Sequence, residues 1–184
     1  MKVAVVGLGK IGLPLSVQIA NSGGVVTGVD INPSVVESVN SGREPFPGEF
    51  ALQEKLREVV ASGNLAATTD FPAGVSEAEV VIVVVPVVVD EAAKPNFGGI
   101  DMATREIAKH LKEGALVIYE TTLPVHTTRQ RFMPLIESIS GLIAGSGFYL
   151  CHSPERVFTG RVSLRIVFFL RLPVWAWLDS DARV

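Results

Sequence analysis

Val3-Ala4-Val5-Val6-Gly7-Leu8-Gly9-Lys10-Ile11-Gly12 stands near the start of the chain, and its reading decides the fold. Four apolar residues without polar alternation suit a strand buried on both faces, as in a parallel sheet covered by helices. The run breaks into Gly-x-Gly-x-x-Gly and passes into a helix-like stretch over 11–21. Each glycine has its own physical task. Gly7 permits a tight turn, Gly9 lets backbone approach a pyrophosphate, and Gly12 lets the helix pack closely on the strand. Phosphates at the mouth of such a helix meet free amides and the positive end of its dipole.

A second apolar run, Val25–Val29, ends in Asp30, at the roughly 20-residue offset that a dinucleotide fingerprint requires. A carboxylate there accepts the ribose hydroxyls and repels a 2′-phosphate, which implies NAD rather than NADP. The bland alternative is a glycine turn in a plain α/β fold, with Asp30 as a helix cap. A P-loop is excluded, because Lys10 is followed by Ile11 with no Lys-Ser/Thr pair ending the loop.

Outward from this corner, further apolar runs at 80–85, 115–119 and 148–150 read as strands. Helices are expected over 34–41, 51–62, 102–111 and 127–138. Asn32-Pro33 opens one helix and Thr122-Leu123-Pro124 leads into another, with proline at a tolerated early position. Segments 42–50 and 96–100 read as loops. Strand–helix alternation of this kind predicts an α/β domain, Rossmann-like and doubly wound, with a mostly parallel sheet and helices on both faces.

Composition agrees with one ordinary domain. Of 184 residues 48% are hydrophobic and 19% charged, enough for a buried core and against wholesale disorder. A net charge of −3 argues against a nucleic-acid module, which shows a basic face. The single cysteine, Cys151, excludes an intrachain disulfide framework and a multi-cysteine zinc site and fits a reducing compartment. His126 and His152 have no second ligand at metal spacing. The run 80–89 is too short for a bilayer and contains Pro86, while Arg165, Arg171 and Pro173 interrupt 164–178. No membrane segment is expected, and the protein is expected to be cytoplasmic.

Three further segments carry chemistry: Val84-Val85-Pro86, Glu120-Thr121-Thr122-Leu123-Pro124-Val125 and Ser153-Pro154-Glu155-Arg156-Val157. Each follows an expected strand, and strand carboxyl ends face the ligand crevice of a doubly wound sheet. Thr121, Thr122 and Glu155 should therefore meet near a bound nicotinamide. On the residues alone Glu155 reads first as a turn-capping acid, since Ser-Pro-Glu is a common turn opening; a general base for hydrolysis, its pKa raised by burial, is the other reading. Thr122 also reads as an N-cap for a helix beginning near Pro124.

With GLGKIGLPL, VDINP, SGNLAATTDF, VVVP, ETTLPV and SPERV in order, the chain resembles the nucleotide-sugar 6-dehydrogenases over residues 1–162. This is the family of UDP-glucose and UDP-N-acetylmannosamine dehydrogenases. SPERV together with TTLP is more similar to the N-acetylated UDP-hexosamine branch. The resemblance implies oxidation of a sugar C6 alcohol to a carboxylate by two hydride transfers to NAD through an enzyme-bound thioester, in polysaccharide biosynthesis. It implies cofactor contacts from Gly7, Gly9, Lys10, Ile11, Gly12 and Asp30, a loop over the adenosine side from Val84, Val85 and Pro86, and Thr121 and Thr122 near the nicotinamide and the reacting centre, with Thr122 catalytic. It further implies that Glu155 activates water and that Arg156 and Val157 begin the loop holding the UDP-sugar. Full-length members are implied to be homodimers.

Several features depart from the pattern. Ser34 and Val35 stand where a basic residue is usual, Val85 where threonine usually precedes the proline, and His126 where glycine is usual in TLPVGTT. The family's nucleophilic cysteine and assisting lysine lie in later domains, so Cys151 is expected to be a small buried residue at a strand end. Residues 163–184, beginning SLRIVFFLRLPVWAWLDS, form an atypical tail where the family continues differently, which fits a truncated gene or a reading-frame slip. The chain alone is accordingly expected to bind NAD without turnover. A catalytically inactive NAD-binding fragment, a UDP-glucose enzyme and a dehydrogenase of small hydroxy acids are the competing readings, and ETTLPV with SPERV speaks against the last.

Overall fold

A computed structural model describes residues 1–154. Its centre is a six-stranded, all-parallel sheet built from β1 (Lys2–Val6), β2 (Val25–Val29), β3 (Leu65–Thr68), β4 (Val80–Val83), β7 (Leu116–Tyr119) and β8 (Tyr149–His152), in the order β3-β2-β1-β4-β7-β8. A small antiparallel hairpin, β5 (Val88–Val89) and β6 (Pro95–Asn96), projects after β4. The chain winds one way from β1 and returns to lay β4 on the other side of it. That is the switch-point arrangement of a doubly wound sheet.

Alternate residues of each central strand feed two cores. Val3 and Val5 pack with α1 (Gly12–Asn21), α2 (Pro33–Asn40) and α3 (Leu52–Ala61) through Leu13, Val17, Val35, Val39 and Leu56. Ala4 and Val6 face α4 (Phe71–Val75), α5 (Gly98–His110) and α6 (Met133–Ser140) through Val75, Ile107 and Ile136. Burial on both faces explains the unbroken apolar runs of the strands. On the second face the Tyr119 ring stacks on Phe132 at 4.2 Å between centroids. Thr104 Oγ1 donates to the Ile100 carbonyl (2.7 Å) and so accepts from the Tyr119 hydroxyl (2.7 Å).

The register brings the strand ends to one level. Val6 pairs with both Val29 and Val83, Val83 with Tyr119, and Tyr119 with His152. Each next residue still donates a ladder bond: Gly7 to Val29 O, Val84 to Val6 O, Glu120 to Val83 O and Ser153 to Tyr119 O, at 2.8–2.9 Å.

Some sequence expectations need correction. β4 ends at Val83 rather than at residue 85; Pro86 has no amide with which to extend the ladder. β3 and α4 went unforeseen. Residues 96–100 are not all loop, since Asn96 Oδ1 accepts the Gly98 amide (2.9 Å) and α5 starts there. The stretch 127–138 divides into a π-helical turn, Thr128–Phe132, followed by α6. That turn begins at Thr128, not near Pro124, so Thr122 caps no helix: Thr127 N–H closes a turn on Pro124 O (3.2 Å), and His126, at φ +67°, breaks any helical path between them. Asn32 does open α2, its side chain accepting the Ser34 amide (3.0 Å). The end of the expected 1–162 domain and the whole 163–184 tail lie outside the described residues.

Candidate functional site

The glycine corner is built by close approach. Gly7 sits at φ +97°, and a Cβ there would lie 3.2 Å from the Val84 carbonyl oxygen. At Gly12 a Cβ would lie 1.8 Å from the Gly7 carbonyl oxygen, so no side chain fits. A Cβ added at Gly9 would meet nothing within 4 Å, so that side of the loop is open to a ligand. The chain therefore folds into a bare cradle at the start of α1, where amides and dipole favour an anion.

Asp30 closes the corner. Its Oδ2 accepts the Leu8 amide (2.8 Å) and its Oδ1 the Asn32 amide (2.9 Å), joining the glycine loop to the turn beyond β2. Each carboxylate oxygen retains a lone pair for a further donor, as a ribose diol requires. The bland reading of Asp30 as a helix cap is incomplete, because Asn32 performs the capping. The cradle and the acid together fit a dinucleotide.

Val84 follows β4 directly opposite Gly7, with Val85 half-buried and Pro86 exposed beyond it. Thr121 and Thr122 follow β7 at the same edge; Thr121 is buried and Thr122 exposed. Gly7, Gly9, Lys10, Ile11, Gly12, Asp30, Val84, Val85, Pro86, Thr121 and Thr122 thus all gather along the carboxyl edge of the sheet. Glu155, Arg156 and Val157 lie outside the described residues.

Cys151 is the third residue of β8, within the strand and only half-buried. Burial, reinforced by the Glu120 carboxylate, pushes its thiol above the ordinary range. It is a protonated thiol at neutral pH, unsuited to act as a nucleophile. His126 is an exposed residue in a left-handed turn. His152 is engaged rather than loose: its Nε2 lies 3.0 Å from the Thr121 carbonyl oxygen. Among the described residues no group of three His, Cys, Asp or Glu could hold a metal, and no helix is long and apolar enough to cross a membrane.

One feature of the site went unread in the sequence. A cleft of about 170 Å³ lies between Gly9, Lys10, Leu13 and Pro14 on one side and Phe46, Pro47, Gly48, Glu49 and Leu52 on the other. The loop 42–50 forms its far wall, held by Gln53, which accepts the Glu44 amide (2.9 Å) and donates to Gly42 O (2.6 Å). Two prolines and two glycines in nine residues signalled a shaped loop, but not where it would pack.

Residues 1–168 match the family described as "UDP-glucose/GDP-mannose dehydrogenase family, NAD binding domain". The chain is similar to a UDP-N-acetyl-D-mannosamine dehydrogenase of Pyrococcus horikoshii, 37% identical over 174 residues, which cover 94% of this chain and 40% of that protein. A Campylobacter jejuni protein of the same name is 40% identical over 173 residues, covering 90% of this chain and 41% of its own. Among solved structures, the UDP-D-ManNAc dehydrogenase of P. horikoshii superposes with a TM-score of 0.85 at 36% identity, covering 90% of this chain and 39% of that one. A ternary complex of GDP-mannose dehydrogenase from Pseudomonas aeruginosa gives 0.86 at 27% identity, with coverages of 90% and 38%. The chain spans about 40% of the length of these relatives.

Proposed function

Because the chain belongs to the UDP-glucose/GDP-mannose dehydrogenase family and carries its NAD-binding domain, we propose that it supplies the cofactor half of an enzyme oxidising the C6 alcohol of a UDP-sugar to the uronic acid. The named relatives favour a UDP-N-acetylhexosamine, such as UDP-N-acetylmannosamine, over UDP-glucose. Polysaccharide biosynthesis is the fitting use of such a product. Bound NAD supplies the hydride acceptor. The amides from Gly9 to Gly12 receive its pyrophosphate, with Lys10 and Ile11 beside them, while Gly7 holds the turn and Asp30 receives the adenosine ribose hydroxyls. Val84, Val85 and Pro86 cover the adenosine side, and Thr121 and Thr122 border the nicotinamide. Glu155 serves as general base on water, and Arg156 and Val157 begin the UDP-sugar loop. We take residues 1–162 as the domain. The protein acts in the cytoplasm, a placement its single protonated thiol suits, and the full-length enzyme is a homodimer.

The observation that carries this reading is the bare glycine cradle at the β1–β4 switch point, tied to an acid with room for a diol. Calorimetric titration of the 184-residue chain tests it. NAD should bind, and NADP should bind at least about tenfold more weakly, the cost of one uncompensated charge clash. Absence of heat with millimolar NAD would sink the reading. Following NADH absorbance with a panel of UDP-sugars separates a binding fragment from a working enzyme; binding without turnover is the expected result for these 184 residues.

A further inference from the structure

The carboxyl ends of β7 and β8 are fastened together by a side chain that no role above uses. We infer that His152 is a positioning residue for the nicotinamide half of the NAD site, holding the Thr121–Thr122 loop through the Thr121 carbonyl. The inference rests on the reading of Thr121 and Thr122 as neighbours of the nicotinamide.

His152 pairs in register with Tyr119, and its ring reaches forward to Thr121, two residues beyond Tyr119 past the end of the neighbouring strand, with Nε2 3.0 Å from the carbonyl oxygen. A carbonyl only accepts, so Nε2 carries the proton. The ladder provides bonds up to Glu120 N–H on Val83 O and Ser153 N–H on Tyr119 O, both 2.9 Å. Thr121 lies just past them, where the chain leaves the sheet. It enters a segment with Pro124 and a left-handed His126, and regular structure resumes only at Thr128. Such a loop takes its path from the few contacts that hold its ends. The imidazole fixes the carbonyl of the buried Thr121 and with it the direction in which the exposed Thr122 leaves. A loop fixed in this way offers its threonines to the nicotinamide without an ordering step at binding.

Titrations of the full 184-residue chain with NAD and with ADP-ribose test this, because the two ligands differ by the nicotinamide alone. In His152→Phe the NAD affinity should fall about five- to tenfold, the worth of one hydrogen bond, with ADP-ribose affinity unchanged. His152→Gln, which can still donate to the carbonyl, should recover most of the loss. Equal weakening of both ligands in both variants would reveal a merely structural residue and overturn the proposal, as would undiminished NAD binding in His152→Phe. Nitrogen-15 spectra of the unaltered chain give an independent check: the proton belongs on Nε2, and finding it on Nδ1 alone overturns the proposal whatever the titrations give. If the unaltered chain binds neither ligand, it is the NAD reading itself that fails.

Discussion

The β1–α1–β2 corner and the β7–β8 corner lie along the same edge of one sheet, yet they hold their loops by opposite means. In the first, shape comes from side chains that are absent. Gly12 lets α1 touch the Gly7 carbonyl, and at Gly28 a Cβ would lie 2.7 Å from the Leu8 side chain. In the second, shape comes from side chains that are present: the stacked Tyr119 and Phe132, the Thr104 hydroxyl, and His152 on the Thr121 carbonyl. Arg131 adds a two-pronged bond to Asp101 (2.8 and 2.5 Å) while lying 4.3 Å above the Phe97 ring, which ties the π turn to α5. A corner made by exclusion fails abruptly when anything is added. A corner made by contacts loses stability in steps.

The largest expected effect is therefore Gly12→Ala. The new Cβ would collide with the backbone carbonyl of Gly7, and overpacking of this kind costs about 3 kcal/mol or more. Urea denaturation should show a strongly lowered midpoint; a midpoint near the original would mean that α1 can slide away and that close packing is not what shapes this corner. In the other corner, Tyr119→Phe keeps the stacked ring and removes one buried hydroxyl. Burial drives that hydroxyl's pKa far above the usual range, so it is a permanent donor. Its loss should cost about 1 kcal/mol, readable by thermal unfolding. A cost as large as that of Gly12→Ala would erase the contrast between the corners.

The smallest effect has the opposite sign. His126 holds φ +67° on an exposed turn, a conformation that strains residues bearing a Cβ. His126→Gly should stabilise the protein by up to about 1 kcal/mol, net of glycine's greater chain entropy. A fall in melting temperature would show that the imidazole makes a contact worth more than the strain.

The same contrast explains what could be read in advance. Gly7, Gly12 and Asp30 were legible because their constraint is local: a turn, a close approach and an acid at a set spacing. The gathering of Val84, Val85, Pro86, Thr121 and Thr122 along one edge was legible too, since it needs only that the strands be parallel and in common register. β3 was not, because Leu65-Ala66-Ala67-Thr68 has little intrinsic strand preference. Its outer edge is instead bracketed by Asn40, which donates to Ala67 O (2.9 Å) and accepts from Ala67 N (2.8 Å). That bracket depends on where α2 comes to rest. The His152 fastening and the cleft wall at 46–52 were hidden for the same reason, since each pairs residues distant in sequence. Thr122 misled because Thr-Thr-Leu-Pro is a good helix opening on propensity alone, and the left-handed residue that diverts the chain comes four positions later.

Asp30 carries one more implication. With a separate amide on each of its two oxygens, its rotamer is settled when the chain folds and not when a nucleotide arrives. A ribose reaching it would therefore forfeit little side-chain freedom on the protein's behalf. Recognition at the adenosine end is in that sense completed during folding, leaving the far end of the dinucleotide as the place where ligands of one shared core are told apart.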